Sequence, residues 1–241
     1  MDENYWLART ELLIGSEKLD RLREKHVLVA GLGGVGGYAA EAICRAGVGE
    51  MTIVDNDVVK PSNRNRQLLA LKSNEDKEKV DLMAQRLLDI NPDLRLHAIN
   101  SYLKDEKVPE LLAVPFDYVV DAIDTLSPKA YFIKHCLDRN LPVVSSMGAG
   151  GRFGPLQIRV EDLSGSYGCM FAQAVRKKLH GLGIRSGFQV IFSPEPVSEA
   201  AVVVTENEKN KKSTVGTISW MPAMFGLIAA SVVIRDLLDP S

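Results

Sequence analysis

The segment His26–Gly36, which reads HVLVAGLGGVG, decides the fold of this chain. Its aliphatic run predicts a buried strand, its glycines predict a tight turn, and the residues over 35–46 predict a helix. Glycines let the backbone of such a turn approach a polyphosphate, and the first turn of the helix offers unpaired N–H groups to an anion. Asp55 ends the next apolar run, at about the 20-residue spacing of an acid that binds ribose hydroxyls. The segment therefore predicts a nucleotide site built on Gly31, Gly33, Gly34 and Gly36.

The polar segment that follows Asp55 bears on the kind of nucleotide. The glycine pattern alone does not separate a dinucleotide cofactor from ATP, because both bring phosphates and ribose to the same place. The segment adds Asp57, Asn63, Arg66 and Gln67, a cluster that a redox domain does not need. Arginine beside a phosphate site neutralises charge that develops during bond cleavage. We therefore favour nucleotidyl transfer over hydride transfer, with an NAD(H)-dependent or non-catalytic Rossmann-type protein as the alternative.

The order of the remaining elements predicts an α/β fold. Strands alternate with helices up to residue 146, which implies a parallel sheet with its site at the carboxyl ends of the strands. Two further strand-like runs, Gln157–Val160 and Phe188–Phe192, indicate antiparallel strands. We expect a Rossmann-like, mostly parallel sheet extended by antiparallel strands, with helices on both faces. One domain over 1–241 is expected, with a crossover loop at about 163–186 that contains a helix, and a mobile loop at about 205–213.

Composition limits the partners and the compartment. With 29 basic and 31 acidic side chains the net charge is -2, so a nucleic-acid partner must be held by local patches. The three cysteines form no CxxC pair, which excludes a four-cysteine zinc site and indicates the reducing cytoplasm. The apolar run Met221–Ile234 is shorter than the roughly 20 residues that span a bilayer. We expect a buried C-terminal helix there and no membrane span.

Two charged residues have open interpretations from their local sequence. Lys79 ends the charged run Glu75–Lys79, and by itself this pattern is typical of a surface helix start. Asp124 follows a buried strand, and its carboxylate fits either the cap of the next helix or a ligand of Mg²⁺ near a triphosphate. Spacing supports the two roles of Asp124 equally.

Together these motifs resemble the superfamily of ubiquitin-activating-like adenylyltransferases, the MoeB and ThiF type. The resemblance covers nearly the whole chain and implies a homodimer that uses ATP and Mg²⁺. It implies that Arg66 and Lys79 stabilise phosphate charge, that Asp124 holds Mg²⁺, and that Arg9 reaches the active site of the other subunit. The full set of implied ATP-binding residues is Gly31, Gly33, Gly34, Gly36, Asp55, Asp57, Asn63, Arg66, Gln67, Lys79 and Asp124.

Within this superfamily the chain most resembles the branch that dehydrates threonylcarbamoyladenosine in tRNA. The similarity rests on Asn63–Gln67, Asp121–Asp124, Gly148–Gly151 and the C-terminal helix around Phe225, and it agrees with the missing CxxC pairs. The implied reaction is an ATP-dependent cyclising dehydration through an acyl-adenylate. The alternative is adenylation of the C-terminus of a ubiquitin-like or sulfur-carrier protein. A sulfur-relay or cysteine desulfurase partner and a structural alkali-metal ion are left open.

A group of basic side chains could meet tRNA phosphates. Taken singly, each is as well explained by a solvated helix face or a solubilising loop, and only together do they form a patch. The residues are Arg176, Lys177, Lys178, His180 and Arg185, with Lys209, Lys211 and Lys212 in the loop at 205–213.

Overall fold

The aliphatic runs of the sequence form the strands of one seven-stranded sheet. The computed structural model of the chain describes residues 5–204 and 213–239. The strands are β1 (His26–Ala30), β2 (Glu50–Asp55), β3 (Arg95–Asn100), β4 (Tyr118–Asp121), β5 (Val143–Ser146), β6 (Arg159–Asp162) and β7 (Gln189–Phe192). Their order across the sheet is β3-β2-β1-β4-β5-β7-β6. All pairs are parallel except β6–β7. The expected mostly parallel sheet with an antiparallel extension is confirmed.

Helices cover both faces of this sheet, as expected. They are α1 (Ala8–Ile14), α2 (Ser16–Arg23), α3 (Gly36–Arg45), α4 (Lys79–Ile90), α5 (Lys107–Leu111), α6 (Leu126–Leu137), α7 (Met170–His180) and α8 (Trp220–Leu238). Successive strand residues point to opposite faces. Val27 and Val29 of β1 accordingly pack with α3, α4 and α8, whereas Leu28 and Ala30 pack with α5, α6 and α7. The two apolar layers hold the sheet between them.

The region after β5 differs in detail from the expectation. β7 runs parallel to β5, so within the large sheet only β6 is antiparallel to its neighbour. The segment 163–186 contains α7, close to the expected helix. Two short strands that the sequence did not indicate, β8 (Val202–Val204) and β9 (Ser213–Val215), form a separate antiparallel pair. Of the expected mobile loop at 205–213, residues 205–212 lie outside the described residues.

The C-terminal helix is longer than the apolar run Met221–Ile234 suggested. α8 has 19 residues with a mean hydropathy of 1.7, so by length and composition it could cross a membrane. More than half of its most apolar 18-residue stretch is buried within the chain, against α3 and the sheet. Pro222 lies in the first turn of α8, where proline is tolerated. We interpret α8 as a core helix. Gly226 makes its close packing possible, because a Cβ there would overlap the carbonyl oxygen of Val35.

Candidate active site

A cleft of about 190 Å³ opens at the carboxyl ends of β1, β2 and β4. This is the point at which the strand order reverses, with β1 between β2 and β4. Such switch points are where open α/β sheets bind ligands, because the loops on either side diverge. Gly31 and Gly33 line one wall, and Asp55, Asp57 and Asp124 contribute three carboxylates. The fold thus brings the predicted glycines and acids to one place.

The glycine turn depends on two positions without a side chain. Gly31 has φ of 91°, in the left-handed region that favours glycine, and a Cβ there would lie 2.9 Å from the carbonyl oxygen of Ala122. A Cβ on Gly36 would overlap the carbonyl oxygen of Gly31. Gly33 is different, because its added Cβ would meet only the Gln67 side chain, at 3.7 Å. Gly33 therefore keeps the cleft open, whereas Gly31 and Gly36 allow the turn itself.

Asp55 is held in place by the turn that it faces. Its Oδ2 accepts a hydrogen bond from the Leu32 N–H at 2.6 Å, and its Oδ1 accepts one from the Asp57 N–H at 2.7 Å. Burial raises the pKa of Asp55, while the charge of Lys79 and these two N–H groups favour the ionised form. Because an ionised carboxylate has about four acceptor positions, lone pairs remain for ribose hydroxyls.

Lys79 is buried, so the surface position suggested by its charged neighbours is wrong. It is the first residue of α4, its side chain is 4% exposed, and its Nζ lies 2.8 Å from Asp57 Oδ2. The cause is a long-range contact, since Val58 pairs with Glu78 and the Lys79 N–H donates to the Asp57 carbonyl. This contact folds the start of α4 against the cleft and places a cation beside two acids.

The segment Asn63–Gln67 packs against the glycine turn rather than lining the cleft. Asn63 is buried, and its Oδ1 accepts from the Lys60 N–H to close a single turn of 3₁₀-helix at 61–63. Arg66 lies beside Gly34 and donates to the Ser62 carbonyl and to Asn65 Oδ1. Gln67 Oε1 is a buried acceptor without a hydrogen-bond partner in the described part of the chain. An unpaired buried acceptor is costly, so it marks a place where a donor from a ligand or water is expected.

Comparison with known proteins identifies the family. Residues 7–240 match the model of the ThiF family. The chain belongs to the ThiF family. It is 38% identical over 242 residues to the tRNA threonylcarbamoyladenosine dehydratase of Bacillus subtilis, covering 96% of this chain and 94% of that protein.

Solved structures of similar proteins support the family assignment. The E. coli enzyme TcdA, tRNA N6-threonylcarbamoyladenosine dehydratase, in complex with ATP gives a TM-score of 0.87 at 32% identity, with 95% of this chain and 92% of that chain covered. Its complex with AMP gives a TM-score of 0.86 at 32% identity, with 95% and 93% covered. The resemblance drawn from the sequence is confirmed.

The cleft of this ThiF-family protein fits a nucleotide and Mg²⁺ by the nature of its side chains. The glycine turn leaves room that side chains would fill, and Gln67, which packs next to Gly33 of the turn, has an unused acceptor. Carboxylate oxygens are the protein ligands that Mg²⁺ prefers, and three line the cleft. Asp124 is exposed and lies in the loop after β4, which is consistent with the metal role that the resemblance implies.

Arg9 and the basic residues of α7 lie away from the cleft wall. Arg9 is exposed on α1 and does not line the cleft of its own chain, so a role in the other subunit stays a prediction. Arg176 donates to the Ser166 carbonyl at 2.5 Å and to its hydroxyl at 2.7 Å, so it secures the loop before α7. Lys178 contacts the Ser127 hydroxyl at 2.9 Å.

Of the basic residues expected to meet tRNA, Lys177 is among the most exposed. His180 and Arg185 are also exposed. The expected residues Lys209, Lys211 and Lys212 lie outside the described residues. The structure therefore shows two roles within the chain, for Arg176 and Lys178, and leaves the patch as a prediction.

The three cysteines are buried, which fits chemistry without an enzyme thiol. Burial raises the pKa of the Cys44 thiol to about 12 and also raises that of Cys136, so both stay protonated at neutral pH. Cys169 is buried, and its sulfur accepts from the Ala172 N–H at the start of α7. Its role in the described structure is to cap a helix.

The sequence did not indicate the loop after β3 as part of the site. Ser101, Tyr102 and Leu103 line the cleft opposite the glycine turn. Tyr102 is exposed, so an aromatic side chain is among the residues that line the cleft. Since β3 is next to β2 in the sheet, its carboxyl end also reaches the site. The strand alternation predicted β3 itself, but only the order of the strands in the sheet shows that the loop after β3 reaches the cleft.

Proposed function

We propose that this chain is an ATP-dependent dehydratase that cyclises N6-threonylcarbamoyladenosine in tRNA. The observation that carries the proposal is the near full-length match to the TcdA structures that hold ATP and AMP. The cleft lies at the carboxyl ends of β1, β2 and β4, where open α/β sheets bind their ligands. The chain would act as a single adenylyltransferase-type domain in the cytoplasm, with modified tRNA as its substrate.

The first step is activation of a carboxylate. The carboxylate of the threonylcarbamoyl group attacks the α-phosphorus of ATP, which forms an acyl-adenylate and releases pyrophosphate. Negative charge develops on the phosphate oxygens during this step, and fixed cations stabilise it. In our proposal Lys79, Arg66 and the Arg9 of a second subunit supply these cations. Asp55 accepts hydrogen bonds from the ribose hydroxyls.

Mg²⁺, held by Asp124, would neutralise phosphate charge when bound. The glycine turn contributes backbone N–H groups and space for the phosphates. Asp57 holds the Lys79 ammonium at 2.8 Å, so the cation is oriented before the substrate arrives. Asn63 and Gln67 belong to the segment that packs against the glycine turn and holds it in place.

The second step closes a ring. The carbamoyl group attacks the activated acyl carbon and loses its N–H proton to solvent, the acyl–oxygen bond breaks, and AMP leaves with one carboxylate oxygen. A five-membered ring forms, and the nucleoside has lost one water overall. Intramolecular attack has a high effective molarity, so a nucleophilic enzyme thiol is not required. This agrees with the burial of all three cysteines. The proposed steps need neither a sulfur-relay partner nor an alkali-metal ion.

The proposal is tested by pyrophosphate release from ATP and Mg²⁺ with tRNA that carries the threonylcarbamoyl group. We expect release that depends on this tRNA, together with a nucleoside lighter by one water. Unmodified tRNA and a small carrier protein with a C-terminal glycine serve as matched acceptors. Release with the carrier protein alone would replace our proposal with the carrier-adenylation alternative.

The site assignment is tested separately by two neighbouring lysines. Lys79→Ala removes the buried cation, and we expect a loss of about 10²–10³ in rate, the range measured for removal of one group that stabilises transition-state charge. Lys77→Ala removes an exposed cation two residues earlier and should leave the rate unchanged. Equal rates in both variants would remove Lys79 from the reaction.

A further inference from the structure

A second cluster of polar side chains lies at the opposite end of the sheet. His26 and Glu50 are the first residues of β1 and β2 and stand side by side in register. His97 lies on β3, two residues beyond the residue that pairs with Glu50, so its side chain shares the same face. From His26 to the end of β1 is about 13 Å at the usual rise per strand residue. The cluster is therefore separate from the cleft and has no part in the proposed reaction.

The three side chains present ligand atoms at distances suited to a metal ion. Glu50 Oε1 lies 3.0 Å from His97 Nε2 and 3.5 Å from His26 Nδ1, and the three atoms all lie within 4.8 Å of one another. Zinc bonds of about 2.0–2.1 Å in tetrahedral geometry place neighbouring ligand atoms about 3.3 Å apart. The two separations from Glu50 Oε1, 3.0 and 3.5 Å, therefore lie on either side of the distance of about 3.3 Å that a tetrahedral zinc site requires.

Neighbouring residues hold these ligand atoms in position. The other ring nitrogen of His26, Nε2, lies 2.8 Å from Thr52 Oγ1. With Nε2–H donating to this hydroxyl, Nδ1 carries the lone pair that faces Glu50. Arg95 donates from Nε and Nη2 to Glu50 Oε2, at 3.1 and 3.0 Å, which leaves Oε1 directed at both histidines. Metal-binding histidines and carboxylates in proteins are commonly oriented by such partners.

The surroundings also favour a bound cation. His26 is buried, and its ring packs against that of Phe116 with 4.6 Å between the two ring centroids. The Lys25 ammonium is already paired with Asp117, at 2.9 Å. The Arg95 side chain is 59% exposed, so water screens its charge. His97 is also more than half exposed, which leaves solvent access for a fourth ligand.

We propose that His26, Glu50 and His97 form a binding site for one divalent transition-metal ion, with Zn²⁺ the best fit. Two imidazole nitrogens and one carboxylate oxygen are a ligand set that zinc uses with an open fourth position. The ion would tie β3, an edge strand, to β2 and β1. Its effect would be on stability, because a ligand that binds only the folded state shifts the unfolding equilibrium.

The test is a titration of the purified full-length protein, after removal of metals with a chelator, by Co²⁺ as a spectroscopic substitute and then by Zn²⁺. We expect one Co²⁺ per chain with the intense visible absorption of a tetrahedral site, its displacement by Zn²⁺, and a higher Tm with Zn²⁺. His97→Gln alters an exposed residue and should lose the absorption and the Tm increase. Glu50→Gln should do the same.

His135→Gln, on α6, removes a histidine outside the cluster and is the matched control. It should behave as the unaltered protein, and circular dichroism checks that each variant is folded. Binding that is unchanged in His97→Gln and Glu50→Gln would overturn the proposal. So would the absence of Co²⁺ binding, or a weak spectrum of the six-coordinate kind.

Discussion

Lys129 and Asp121 form an ion pair that is sealed from solvent beneath the cleft. The Lys129 Nζ lies 2.7 Å from Asp121 Oδ2, and both side chains are 0% exposed. Burial lowers the pKa of Lys129, whereas the Asp121 carboxylate favours its charged form. Asp121 also accepts from the Ser145 hydroxyl and from the Ile123 N–H, so the pair joins β4, β5 and the loop that carries Asp124.

Removing one member of this pair should destabilise the fold strongly. Lys129→Ala leaves the Asp121 charge buried without its partner, and we expect a loss of about 3–5 kcal/mol in the free energy of unfolding. Lys134→Ala on the same helix breaks a partly exposed pair with Asp138 and should cost about 0.5 kcal/mol or less. Urea unfolding of the two variants measures the difference. Similar midpoints would show that the buried pair contributes little.

Two glycines of the same turn should respond differently to one added methyl group. Gly36→Ala drives a Cβ into the Gly31 carbonyl, which the backbone must move to relieve, so both stability and ATP affinity should fall. Gly33→Ala meets only an ordinary contact with Gln67 and should leave the Tm almost unchanged. Because Gly33 lines the cleft, its methyl group should still weaken ATP binding about tenfold or more, a loss of about 1.4 kcal/mol. Calorimetry and thermal unfolding separate the two effects. Unaltered ATP affinity in Gly33→Ala would place the phosphates elsewhere.

Glu41 should give the chain part of its stability above acidic pH. Burial alone would raise its pKa, but hydrogen bonds from Arg86 and Arg45 hold the pKa below the usual value of 4.5. The folded state therefore binds its proton less readily than the unfolded state. The stabilisation is fully present above the unfolded pKa and is lost as the pH falls through the lower folded pKa.

The measurement compares urea midpoints of the unaltered protein and Glu41→Gln from neutral pH down to a pH below the usual pKa of 4.5. The difference should be greatest near neutral pH and should close at the acidic end. Glu24→Gln, an exposed change at the end of α2, provides the control for loss of one negative charge. A difference that is independent of pH would show that the charge of Glu41 is not the cause.

Mixed dimers test the proposal that the chain forms a homodimer in which Arg9 acts in the cleft of the other subunit. Arg9→Ala and Lys79→Ala should each be nearly inactive as homodimers. Co-expression pairs one intact cleft with one intact Arg9, so an equal mixture should recover about a quarter of the activity, since half of the dimers carry one working site of two. The heterodimer, isolated by its two different tags, should release pyrophosphate at about half the rate of the unaltered protein, because one of its two sites works. No recovery would place Arg9 at the cleft of its own chain, and an active Arg9→Ala homodimer would remove Arg9 from the reaction.

The nucleotide half of the fold was readable because its signals are local. The strand, turn and helix around Gly31–Gly36 and the acid at Asp55 are specified by residues close in sequence, and the structure places them as expected. The position of Lys79 was not readable from its neighbours, because it depends on the pairing of Val58 with Glu78. The resemblance to a family predicted a role for Lys79 in the site, whereas the pattern of charges around it predicted a surface position.

The remaining differences also come from long-range pairing. β8 and β9 have only three residues each, which is too short for a periodic signal in the sequence, and they are recognised by their pairing. Tyr102 joins the cleft because β3 lies beside β2, a fact of sheet order. The cluster of His26, Glu50 and His97 likewise exists only once three strands are in register.

The packing of α8 on the glycine turn has a consequence for biosynthesis. Pro222 lies where a side chain on residue 34 would be, and Gly226 sits against Val35. Translation delivers the turn more than 180 residues before the helix that supports it. A nascent chain on the ribosome thus carries the turn without its support, and the turn gains that support only after α8 has emerged and docked.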